Sequence, residues 1–143
     1  YSDVTKYTTL AGKMVTFFNG SHSSNWSTIG PRELEYSKNL TGTIVGPTER
    51  MFISSAPSDA DSVTFTIKKT DGKQENNIHL CAYDSKGNCT SPAPYTFENG
   101  NDNVGKTWTK TVTGVKGKIL GVHLAAAKVN ANEFSYTLKA VKN

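Results

Sequence analysis

From Asp61 to Lys68 the chain reads Asp-Ser-Val-Thr-Phe-Thr-Ile-Lys. Only an extended strand puts Val63, Phe65 and Ile67 on one side and Ser62, Thr64 and Thr66 on the other. A slip of one residue would turn every apolar group into water, so such a segment must lie on a sheet with one face in a core. The pattern recurs. Phe134, Tyr136, Leu138 and Ala140 alternate with polar residues, and the stretch from Thr107 to Thr113 carries Thr at every second position beside Trp108 and Val112. Strands are expected at Lys13–Phe18, Glu33–Ser37, Thr41–Val45, Arg50–Ser54, Ser62–Lys69, Asn77–Tyr83, Thr107–Thr113, Gly117–Leu124 and Glu133–Val141.

The segments between them supply residues that tolerate positive φ: Thr70-Asp-Gly-Lys, Asp84-Ser-Lys-Gly-Asn, Asn99-Gly-Asn-Asp-Asn and Gly114-Val-Lys-Gly. Residues 1–12 and 125–132 could each host a helical turn, but neither sustains helical periodicity. A chain of 143 residues suits one domain spanning 1–143. About eight or nine one-sided strands close most naturally into an all-β, two-sheet β-sandwich, jelly-roll or immunoglobulin-like.

Cys81 and Cys89 flank a seven-residue turn. If that turn centres on Ser85, the two face each other across a hairpin at ~4.5–5.5 Å, the separation a disulfide needs. Two free thiols or half of a metal site are the alternatives, and a metal would need further ligands that the isolated His22, His79 and His123 do not supply. A bridge implies an oxidising compartment, hence a secreted or cell-surface protein. Sequons at Asn19, Asn25, Asn39 and Asn88 mark segments expected at the surface. No apolar run is long enough to be a transmembrane segment.

Net charge is +4, yet the cations are scattered and only Lys68 and Lys69 adjoin, which disfavours nucleic acid as a partner. No Gly-x-Ser-x-Gly elbow, His-Glu-x-x-His or phosphate loop occurs, and the acids cluster in turns, so the chain is read as no enzyme. Glu33 and Glu35 would share a face only in an extended segment. His79 and His123 fall within strands, where a polar-face imidazole is normally just solvated. The Asn99-Gly-Asn-Asp-Asn segment is read as a hairpin turn. Asp102, Asn101 and Glu98 are weak calcium candidates there, thin in charge for the ion, and no other cofactor is expected.

Sandwiches that bind sugars use exposed aromatics to stack on rings, with loop amides, acids and imidazoles bonding to hydroxyls. Trp26, in the polar loop with His22 and Asn25, fits that role best. Tyr95 is expected on the loop after the cysteine pair, and Asn103 is a further candidate, whereas Trp108 alternates with Val112 as core. The expected function is a non-catalytic module that recognises carbohydrate, a cell-surface glycan or a matrix surface through loops at one end of the sandwich. The alternatives are a protein partner, as for an adhesin, appendage subunit or secreted effector, and a membrane-acting toxin. Thr-rich edge strands would also allow a homodimer.

The segment Asn77-Ile-His-Leu-Cys-Ala-Tyr-Asp-Ser-Lys-Gly-Asn and the strand Glu133-Phe-Ser-Tyr-Thr-Leu-Lys-Ala resemble bacterial pre-peptidase C-terminal domains. Val115-Lys-Gly-Lys-Ile-Leu-Gly-Val-His-Leu, followed by that strand, is similar to the end of the soluble galactose-binding bacterial lectins, which are jelly-roll sandwiches with a short-spaced cysteine pair. The resemblance implies a sandwich. Those lectins hold calcium through Asp, Thr and Asn in the loop between these two strands. Here that loop is Ala125-Ala-Ala-Lys-Val-Asn-Ala-Asn, without a carboxylate, so their calcium site does not carry over.

Overall fold

The computed structural model describes residues 27–45, 48–54, 57–84, 86, 88–98, 101–126 and 133–143. Among them run nine strands: β1 (Ser27–Glu33), β2 (Leu40–Val45), β3 (Thr48–Ser54), β4 (Ser62–Asp71), β5 (Asn76–Tyr83), β6 (Cys89–Phe97), β7 (Thr107–Thr113), β8 (Ile119–Ala126) and β9 (Glu133–Lys142). The expected strand Lys13–Phe18, the sequons Asn19 and Asn25 and the loop with His22, Asn25 and Trp26 lie outside the described residues, as does most of the segment 125–132, whose Ala125 and Ala126 close β8.

The strands form a five-stranded sheet ordered β1-β3-β8-β5-β6 and a four-stranded sheet ordered β2-β9-β4-β7. Neighbours are antiparallel except for the parallel β1–β3 pair. Among the described strands only β5 and β6 follow each other within one sheet, and every other connection crosses the sandwich. That weave makes the fold a jelly roll, since immunoglobulin sandwiches keep several sequential neighbours in one sheet. Val63, Phe65 and Ile67 of β4 and Phe134, Tyr136, Leu138 and Ala140 of β9 face Phe52, Ile78, Leu80, Ala82, Leu120, Val122 and Leu124 across the interior, all buried. The period-two reading of both strands holds.

Four expectations need correction. The segment from Glu33 to Ser37 is not a strand: β1 ends at Glu33, Leu34 enters the core, and Ser37 turns at φ 65°. Strand β6 is missing from the expected set because Pro92 and Pro94 argue against a strand, but β6 lies at a sheet edge, where a missing N–H costs no ladder bond. The cysteines form the disulfide, with Cα atoms 5.7 Å apart, although Cys89 faces Tyr83 rather than Cys81. The hairpin therefore turns one residue later than a Ser85 centre, and an irregularity between Leu80 and Ala82 brings the diagonal pair within reach. Finally, His123 is fully buried, and it pairs across β8–β5 with the half-buried His79 at 6.3 Å between ring centroids.

The burial of His123 belongs to a wider feature. On the side of the five-stranded sheet that faces away from the four-stranded one, Ile53, Cys81, Tyr83, Ile119 and His123 are all out of solvent. Burial pushes the Tyr83 phenol well above its ordinary pKa. The four-stranded sheet, by contrast, alternates cleanly between buried and open positions along β9 and β4.

Candidate functional site

At one seam of the sandwich the edge strands β6 and β7 come together, one from each sheet. Tyr95 of β6 stacks on Trp108 of β7 with ring centroids 5.0 Å apart and planes 5° from parallel. Phe97, two residues on from Tyr95, meets its ring edge to face at 5.1 Å and leans on Phe134 at 5.5 Å. An aromatic chain thus runs from the half-buried seam into the core. Tyr95 is not on a free loop: it is strand-borne, half-buried, and spends one ring face on Trp108.

The connection from β6 to β7 crosses between sheets, so the Asn99 segment is no hairpin. Its described part holds a 3-10 turn, Asn101–Asn103. The Asn103 amide donates to the Glu98 carbonyl, and Lys106 N–H donates to the Asn103 carbonyl at 3.0 Å. Gly105, at φ 90°, lets the chain reverse and donate to the Lys69 carbonyl at 2.7 Å, while Lys69 N–H returns a bond to Lys106 at 3.0 Å. The crossover is thereby tied to the end of β4.

These bonds hold open a depression of about 380 Å³ lined by Tyr95, Thr96, Phe97, Glu98, Asn103 and Lys106. It presents a phenol, a hydroxyl, a carboxylate, an amide and an ammonium around an aromatic wall. Thr96 Oγ1 also donates to Asn77 Oδ1 at 3.0 Å. At the same end of the fold Lys69 is wholly buried, with Nζ donating to the Gln74 carbonyl at 3.3 Å and lying 5.5 Å from the centre of the Phe134 ring. Burial holds this ammonium below the usual lysine range. The side-chain amide of Asn76 is buried without a hydrogen-bond partner among the described residues.

Of the residues singled out by sequence, the structure brings Tyr95, Asn103 and Glu98 to one hollow. Asp102 is exposed beside it, and Asn101 opens the turn. Among the described residues no three of His, Cys, Asp and Glu stand together as metal ligands. Trp26, His22 and Asn25 fall outside the described residues. Thr96 and Lys106 were not singled out, because only the meeting of two sheet edges makes them neighbours of Tyr95. A second depression of about 240 Å³ is lined by Glu33, Leu34, Glu35, Lys38, Asn39 and Leu40. There Glu35 is exposed and its carboxyl is lowered, first by the hydrogen bond and then by the charge of Lys38. Glu35 has left the extended segment, so it does not share a strand face with Glu33.

No family model and no curated protein matches this sequence. Solved structures are similar to it at low identity. The tripeptidyl peptidase 2 structure is similar at 15% identity and a TM-score of 0.51, covering 76% of this chain and 10% of that one, so the likeness spans about a tenth of the peptidase. Aeromonas hydrophila PliG, a periplasmic inhibitor of g-type lysozyme, is 11% identical with a TM-score of 0.47, covering 82% of this chain and 99% of its own. A carbohydrate-binding module of the β-sandwich superfamily is 8% identical with a TM-score of 0.39, covering 73% of this chain and 52% of its own. At 15% identity the likeness to the peptidase structure is one of fold alone. The resemblance to pre-peptidase C-terminal domains is not shown, and what stands of the sequence resemblance is the β-sandwich.

Proposed function

We propose that this chain is an extracellular, non-catalytic binding module that recognises carbohydrate through the depression between β6 and β7. The observation that carries the reading is the hollow itself. Thr96, Glu98, Asn103 and Lys106 set both donors and acceptors around Tyr95 and Phe97, the mixture that hydroxyl-rich ligands with apolar ring faces require. Glu98 is the one carboxylate among the described residues lining it, whereas glycoside hydrolysis uses two facing each other across the bond. The disulfide supports an oxidising compartment, and no described helix is long and apolar enough to cross a membrane.

The test is a glycan array probed with the oxidised protein, with and without calcium, beside an Asn103→Ala/Lys106→Ala variant and a Trp26→Ala variant. Specific signal that disappears in the double variant and survives in Trp26→Ala is expected. A blank array with folded protein overturns the carbohydrate reading, and loss in Trp26→Ala alone moves the site away from this hollow. Calcium dependence would bring Asp102 and Glu98 into ligand binding.

A further inference from the structure

The outward face of the four-stranded sheet carries hydroxyls in register across all of its strands. Thr41 of β2 stands opposite Thr137 of β9, Thr137 opposite Lys68 of β4, and Lys68 opposite Thr107 of β7. The next rows read Lys139, Thr66, Thr109 and then Val141, Thr64, Thr111, followed by Ser62 opposite Thr113. Neighbouring hydroxyls bond to each other, Thr43 to Ser135 and Thr64 to Thr111, each at 2.8 Å. Strand spacing sets the columns about 4.8 Å apart, and the two-residue repeat sets the rows about 6.7 Å apart.

β-propensity alone accounts for threonine on an open sheet face. It does not account for the two lysines. Lys68 and Lys139 sit on adjacent strands as diagonal neighbours, about 7–8 Å apart at the backbone. Neither has an ion-pair partner among the described residues. The acids nearest along these strands, Asp71 and Glu133, fall together at one end of the face. Two like charges held together inside a field of hydroxyls are relieved by an anion, and every surrounding hydroxyl can both donate and accept.

We infer that this face is a second binding surface, distinct from the β6–β7 hollow, for an extended carboxylate-bearing polysaccharide: the uronate carboxylates meet Lys68 and Lys139, and the sugar hydroxyls meet the threonine rows. The partner is a polymer because the face is a repeating lattice of hydroxyls and lysines that runs along the strands. Such contacts are individually weak and sum along a chain.

The probe is polygalacturonate, with neutral dextran as control, in affinity electrophoresis of the folded, oxidised protein at low and raised salt. Retardation by polygalacturonate but not dextran, weakened by salt, is expected. A Lys68→Gln/Lys139→Gln variant should lose about tenfold in affinity, the sum of two exposed ion pairs. A Thr66→Val/Thr109→Val variant should weaken binding while leaving its salt dependence unchanged, and in the Asn103→Ala/Lys106→Ala background, with the hollow disabled, retardation by polygalacturonate should persist and still fall on Lys68→Gln/Lys139→Gln. Equal retardation by dextran, no retardation at all, or full binding by the lysine variant overturns the proposal. If the Asn103→Ala/Lys106→Ala variant alone loses binding, the hollow is the site; the sheet-face proposal then fails while the function proposed above survives.

Discussion

At Lys69 the cost of burying a cation is set against its contacts. Removing an ammonium from water costs several kcal/mol even after relaxation, against about 1.5–3 kcal/mol for a charged hydrogen bond to the Gln74 carbonyl and up to about 2 kcal/mol for the Phe134 ring. Lys69→Met should therefore be neutral or stabilising, by as much as about 2 kcal/mol. In the window between the lowered folded pKa and the ordinary 10.5, the unfolded chain holds the proton and the folded chain does not. Stability then rises with pH through that window, and melts of parent and Lys69→Met should show the rise only in the parent. Gly72 poses a steric question instead. At φ 96°, a Cβ there would sit 2.1 Å from the Glu133 carbonyl oxygen, whereas at Gly114, φ 67°, it would meet nothing within 4 Å. Gly114→Ala should cost only the left-handed backbone penalty, about 1–2 kcal/mol. Gly72→Ala should cost at least about 1 kcal/mol more, because backbone on both sides must move; urea denaturation of the two variants decides it.

Among elements, the edges are handled differently. Strand β6 carries Pro92 and Pro94, which remove donors from its outer side. Strand β7 has no proline, but Lys110 stands opposite the buried Phe65 and so points toward the core side while remaining exposed. An inward-pointing charge on an edge strand is a device against sheet extension. Lys110→Thr should thus promote self-association, visible as concentration-dependent sedimentation absent from the parent. The β5–β6 hairpin is held twice, by the disulfide and by Asp84, whose carboxylate accepts from the N–H groups of Lys86 and Asn88, each at 2.9 Å. Those bonds, the one from Asn88 foremost, lower the Asp84 pKa, so this contribution is present above the ordinary carboxylate range and fades as pH falls through the lowered value. Reduction of so short a loop should cost about 2–3 kcal/mol, measurable as a lower Tm in reductant. Strands β4, β7 and β9 were legible in sequence because one of their faces is open, which imprints a period of two. Strand β6 was not, because its prolines are tolerated only at an edge, and edge status is a property of the assembled sheet.

For the molecule as a whole, the two sheets differ in what their outer faces meet. The five-stranded sheet keeps Cys81, Tyr83 and His123 out of water on the side away from the core, which is why the apolar run that ends β5 shows no alternation and why the solvated imidazole expected of a strand's polar face is not found at His123. The candidate site was legible only in pieces. Tyr95 and Asn103 stand out as residue types, but their convergence with Thr96, Glu98 and Lys106 depends on two sheet edges meeting, and no local pattern encodes that. The weave of the strands also governs how the chain can acquire its shape. Strand β9 lies between β2 and β4, and among the described strands β2 pairs with β9 alone. A ribosome that has delivered everything through β8 has therefore made the described strands of the five-stranded sheet, while β2 still lacks the one partner it has among the described strands. By then the β4–β7 pair can form, but joining β2 to it waits on residues 133–143, which must insert between them as β9.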